Sequence, residues 1–168
     1  MILSVGINDY STLEGHANIP SASFDSILVA NRFESMGFTR AHLMNPTKEE
    51  LLVEIRRIKV SCEHIYSLEP LKLKFVVIYF SGYASDDNEV IFSDGDVLSI
   101  SKYFESPVKN TYVLLFQDCT TNREGGSYGN IHCQSLGHAT NSSYFYQALF
   151  RSDNFGRFLK FQTNALLT

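Results

Sequence analysis

The chain alternates short apolar runs with segments whose apolar positions recur at helical spacing. Ile2 to Ile7 is an apolar run closed by Asn8-Asp9-Tyr10 and a loop holding Gly15 and Pro20, as expected of a buried strand leading to the surface. From Asp25, the positions Ile27, Leu28, Ala30, Phe33 and Met36 follow a helical period, with Ser23 available as a cap and Gly37 placed to stop the helix. Phe38 to Met44 returns to an extended pattern. Asn45-Pro46 breaks it, because the residue before a proline is driven out of the helical region. Thr47 with Glu50 spells a capping box, and Leu51, Leu52, Ile55 and Ile58 stripe a second helix that reaches into the sixties.

The densest apolar run, Phe75 to Phe80, has the composition of a strand buried on both faces of a parallel sheet. Glu89 to Phe92 and Val97 to Ser99 flank the turn dipeptide Asp94-Gly95 and predict a short hairpin, followed by a short helix over 101–105. Tyr112 to Phe116 is a further strand running into Gln117-Asp118-Cys119, after which the chain turns polar and glycine-containing from Thr120 to Gly129. Asn130 to Leu136 predicts another strand and Tyr144 to Phe150 a helix opened by Asn141, Ser142 or Ser143; the period of 155–168 fits neither element. Strands alternating with helices imply a mainly parallel sheet covered on both sides, with functional groups at the carboxyl ends of central strands. Tyr83 and Cys119 are expected just beyond two such ends.

Composition narrows the function classes. With 168 residues and 44% hydrophobic content, a single domain with a proper core is expected over 1–168. A net charge of -4 and 19% charged residues give no basic surface for nucleic acid or an anionic membrane. No apolar run approaches the roughly 20 residues of a membrane-spanning helix, and Met1 to Gly6 reads as a strand and not a secretory leader. Cys62, Cys119 and Cys133 have no paired spacing, which argues for a reducing, cytoplasmic setting and against a zinc site. Asp86, Asp87, Asp94 and Asp96 match no calcium loop and read as a solvated turn, and no glycine-rich phosphate loop follows the first strand. No cofactor or metal is expected.

In order along the chain stand Val5-Gly6-Ile7-Asn8-Asp9-Tyr10, a helix opened by Asp25 and closed by Met36-Gly37-Phe38, Tyr79-Phe80-Ser81-Gly82, and Phe116-Gln117-Asp118-Cys119. That series resembles the caspase, metacaspase and paracaspase group. Ser142 to Leu149 also looks like a helix start in the family's small-subunit portion. The resemblance implies a caspase-like three-layer α/β/α sandwich. It divides the chain into a large-subunit-like part, 1–119, a candidate intersubunit-type loop, 120–129, and a small-subunit-like part, 130–168, that could be truncated. It assigns Cys119 as nucleophile, puts Tyr83 where the family has its histidine, and puts Ala84 at a glycine that lends a backbone donor to the oxyanion hole.

Those positions predict impaired chemistry. A cysteine peptidase needs a thiolate, an imidazole to assist ionisation and protonate the leaving amine, and N–H groups facing the oxyanion. A phenol, with an ordinary pKa of about 10, is neutral at pH 7 and a poor base. Losing acid-base assistance typically costs about 10² to 10⁴-fold in rate. Ala84 keeps the N–H but restricts the backbone, and would misaim the donor if a positive φ were required there. The loop 11–24 carries His16, a candidate substrate-binding residue, and no arginine, so aspartate specificity is unsupported.

Two functions compete. One is a non-catalytic caspase homologue in cell-death or immune-type signalling, acting by association with a caspase-like paralogue or with itself through a sheet edge in the last third of the chain. The other is a working cysteine endopeptidase in which a histidine from another loop, His16 or His138, serves Cys119. Beside both stands the plain alternative that Cys119 is a small packed hydrophobe and Tyr83 a packed aromatic.

Overall fold

The segment Ile2–Gly6, apolar but for Ser4, suits a strand covered on both faces, and in the computed structural model this strand, β1, is buried at every position. The structure describes residues 1–72, 74–85, 87, 89–104, 109–120 and 130–136, with Thr120 and 130–136 by backbone alone. Residues 1–137 form one compact unit.

Alternation along β1 sends its side chains to two different helices. Ser4 faces helix α1, Pro20–Glu34, and donates its hydroxyl to Ser26 O at 2.6 Å. Leu3, Val5 and Ile7 join Leu51, Ile55, Ile58 and Cys62 of helix α2, Lys48–Leu68, in the main core. Strand β2, Arg40–Met44, lies parallel to β1 on one side; on the other lies β3, Lys74–Ala84, also parallel. Strand β6, Thr111–Thr120, runs parallel to β3 over ten paired positions, and β7, Asn130–Leu136, closes antiparallel on β6. The small strands β4, Val90–Ile91, and β5, Val97–Leu98, form a hairpin that pairs with the end of β3. The result is the expected sandwich: a mostly parallel sheet flanked by helices. Among the described residues no helix is long and apolar enough to cross a membrane.

The capping box at α2 forms as the sequence requires. Thr47 Oγ1 accepts the Glu50 N–H at 3.2 Å while Glu50 Oε2 accepts the Thr47 N–H at 2.8 Å. Thr47→Ala should therefore lower stability by about 1 kcal/mol, measured as a shift in the urea midpoint at unchanged slope. At the end of α1, Gly37 turns the chain at φ 89 and Phe38 N–H reaches back to Phe33 O at 3.1 Å, so the expected glycine stop is present.

Three expectations need correction. Helix α1 begins at Pro20 and not at Asp25, and Ser23 lies inside it without acting as its cap. Proline at the first helical position loses no hydrogen bond, since that N–H has no partner in any helix. Strand β2 starts at Arg40, because Phe38 is used to pack its ring on Phe33 at 5.2 Å. Finally, β3 and β6 do not stop at Phe80 and Phe116. Both run on to Ala84 and Thr120, so Tyr83 and Cys119 lie within strands and not beyond them. The predicted helix at 144–150, the tail and most of the polar loop fall outside the described residues.

Candidate functional site

Strand β1 ends opposite Ser81, and from there the hairpin takes its place beside β3 with Tyr83 paired to Ile91 and Ala84 to Val90. On the other flank, Gly82 pairs with Cys119 and Tyr83 with Thr120. The sequence-flagged residues Tyr83, Ala84 and Cys119 are therefore brought together, on adjacent strands at the carboxyl end of the sheet. Ala84 is in extended pairing and has no positive φ, so the feared misaiming of its N–H does not arise from a left-handed backbone.

The loop after β1 is tied down by asparagines within it and beyond it. Asn45, held at φ 45 between β2 and α2, accepts the N–H groups of Asn8 and Asp9 at 2.9 and 3.2 Å. Asn18 accepts the Tyr10 N–H at 2.8 Å, and Asn8 O accepts the Ile19 N–H at 2.9 Å. Thr12 then fastens the loop to the hairpin by donating to Ser93 O at 2.7 Å.

This bracing drives the Tyr10 ring, fully buried, into the space over Gly82. Its hydroxyl accepts the Tyr83 N–H at 3.0 Å and donates to Ile91 O at 3.1 Å. Burial raises the Tyr10 phenol far above its ordinary value, with the neighbouring Cys119 and Tyr83 adding to the effect. Tyr83 meets Tyr10 edge-on at 4.8 Å, and His16 meets Tyr83 edge-on at 4.7 Å. His16 thus lies in the same aromatic cluster, and its Nδ1 bonds Glu14 O at 3.1 Å. A carbonyl can only accept, so Nδ1 carries the proton.

Cys119 is 5% exposed and packs within the main core. Burial pushes its thiol well above the ordinary range, and the adjacent Asp118 carboxylate pushes it further in the same direction. Among the described residues no imidazole nitrogen bonds to its sulfur: His16 is engaged as above, and His42 Nε2 is held by Ser26 Oγ at 3.1 Å across the α1–β2 contact. The side chain of His132 and all of His138 fall outside the described residues.

Asp118 points to the other face of the sheet from Cys119. It accepts the Tyr79 hydroxyl at 3.0 Å, and Asp25 of α1 lies near enough that burial and the Asp118 charge together raise the Asp25 carboxyl. Among the described residues no group of three or more His, Cys, Asp or Glu side chains is placed to hold a metal ion. The residue that local reading missed is Tyr10. Its one visible signal was its place directly after the carboxyl end of β1, where parallel sheets present functional groups.

The arrangement supplies a shielded thiol and a cluster of aromatic rings, with no imidazole bonded to sulfur among the described residues. No curated protein and no solved structure matches the chain. Residues 1–130 match the family model of the caspase domain, peptidase family C14. With the sheet order, the two flanking helices and Cys119 set beside Gly82 already in view, that match places the chain in the caspase-domain family.

Proposed function

We propose that this caspase-like domain does not hydrolyse peptides and acts through association with other proteins, in cell-death or immune-type signalling. The observation that carries the reading is the state of Cys119: a core residue with a raised thiol, near the phenol of Tyr10 and with no imidazole bonded to its sulfur among the described residues. Nucleophilic catalysis by cysteine requires the thiolate, and a cation or base beside it lowers the pKa to supply it. Here burial and a neighbouring carboxylate oppose ionisation. The fold's ladder is otherwise intact, which suits a domain kept for its surface. Among the described residues β7 pairs with β6 alone, and this edge in the last third of the chain is where a caspase-like paralogue or a second copy would add strands.

One observation favours a second reading, an active endopeptidase: the His16 ring reaches the same cluster as Tyr83. A single assay separates the two. Across a panel of peptides at pH 7, turnover by the native chain should equal that of Cys119→Ala, and an electrophilic peptide probe should leave Cys119 unmodified. Turnover abolished by both Cys119→Ala and His16→Ala would establish the second reading in its place.

A further inference from the structure

At the opposite end of β3 from Cys119, Lys74 has an ammonium with no hydrogen-bond partner among the described residues. The residue is 7% exposed, and its Nζ is buried. It lies near Cys62 and Tyr66, which stand one helical turn apart toward the end of α2. The ammonium sits 5.1 Å from the Tyr66 ring centroid. Lys109, entering from the turn before β6, brings a second ammonium to 5.7 Å from that same ring. The ion pairs among the described residues engage Arg40, Lys48, Arg57, Lys72 and Lys102, and none reaches Lys74 or Lys109.

Such an arrangement is costly as it stands. A buried charge is retained only when paired or richly hydrogen-bonded, and the face of a phenol ring recovers only part of the lost hydration. Two like charges converging on one ring repel each other as well. An anion between them resolves both problems, since lysine offers three donors per ammonium and suits a compact, highly charged oxyanion.

We propose that Lys74, Lys109 and Tyr66 form a binding site for a small oxyanion of the phosphate class. Register places it about 26 Å from Cys119, eight residues along the β3–β6 ladder at strand rise. The site is thus separate from the aromatic cluster and does not depend on whether Cys119 is active. Tyr66 is partly exposed and Lys109 exposed, so these two side chains form the side through which an ion enters.

The test is thermal unfolding of the full chain against increasing inorganic phosphate, with chloride at matched ionic strength as reference and glycerol phosphate as a second arm. Phosphate should raise the transition temperature saturably, as a ligand of the folded state does. Lys109→Met should weaken the apparent affinity about tenfold, the effect of losing one charge-assisted hydrogen bond. Lys74→Met should abolish the response and raise the transition temperature in chloride, because it removes an uncompensated buried charge. Glycerol phosphate acting as well as phosphate assigns the site to phosphate esters; phosphate alone acting assigns it to the free ion. A phosphate response equal to that of chloride, or one unchanged in Lys109→Met, overturns the proposal. The exposed Lys109 variant decides the matter even where Lys74→Met does not fold.

Discussion

At pH 7 Cys119 will be alkylated by iodoacetamide at least about a hundredfold more slowly than a free cysteine peptide, because the thiolate is the reacting species and buried thiols stay protonated. The sign follows from its surroundings. Burial raises the thiol first and the Asp118 carboxylate second, so the neutral form is favoured on both counts. The rate should keep climbing with pH through the ordinary thiol range of about 8.5, without levelling there. Timed quenching followed by peptide mass analysis reads this directly, and Cys119→Ser identifies the peptide. Rapid labelling at neutral pH, or a plateau below about pH 8, would mean that a positive partner holds the sulfur as thiolate. Asp118→Asn offers a graded check: removing the second cause should speed alkylation modestly while leaving the burial effect in place.

Gly6→Ala will cost about 3 kcal/mol of folding stability or more, the upper end of the range for overpacked cores. A methyl group at Gly6 would stand 2.5 Å from Ser26 Oγ and 2.7 Å from Ala22 O. The hydroxyl is itself held, donating to Ser23 O at 2.9 Å and meeting His42, and the carbonyl belongs to the α1 backbone. Relief therefore requires the whole helix to lift from β1. That movement would also carry Asp25 away from Asp118, so the raised Asp25 carboxyl should fall back toward the ordinary carboxylate range. Chemical denaturation measures the first effect. A loss under about 1 kcal/mol would show that α1 sits more loosely on the sheet than these distances require.

Local sequence carried the elements well where the deciding forces are local. The Thr47–Glu50 box and the Gly37 stop each depend on neighbours a few residues away, and each is present. The strand ends depend on distant partners. Ser81-Gly82 and Gln117-Asp118 look like exits from a strand, yet Gly6, Cys119 and the hairpin supply partners that keep β3 extended. Pro20 looks like loop chemistry in sequence, yet its missing N–H fits a first turn equally well, so α1 begins five residues before Asp25.

The candidate site was legible in part. Tyr83, Ala84, Cys119 and His16 could be singled out one by one, and His16 does approach Tyr83. What could not be read was the Tyr10 hydroxyl, whose two partners lie 73 and 81 residues along the chain. No periodicity connects such positions. Only the register of β3 against its neighbours does, together with the close approach that Gly82 permits: a side chain there would meet Tyr10 Oη at 2.6 Å.

Eleven residues of β3 pass from Lys74 to Ala84 with neither proline nor bulge, bonded on one flank to β6 for nearly their whole length. An extended chain so clamped is inextensible: it has no slack to take up and no joint at which to bend. The Lys74 end of the strand and the Tyr83–Ala84 end are thereby held at a constant separation, like marks on a ruler.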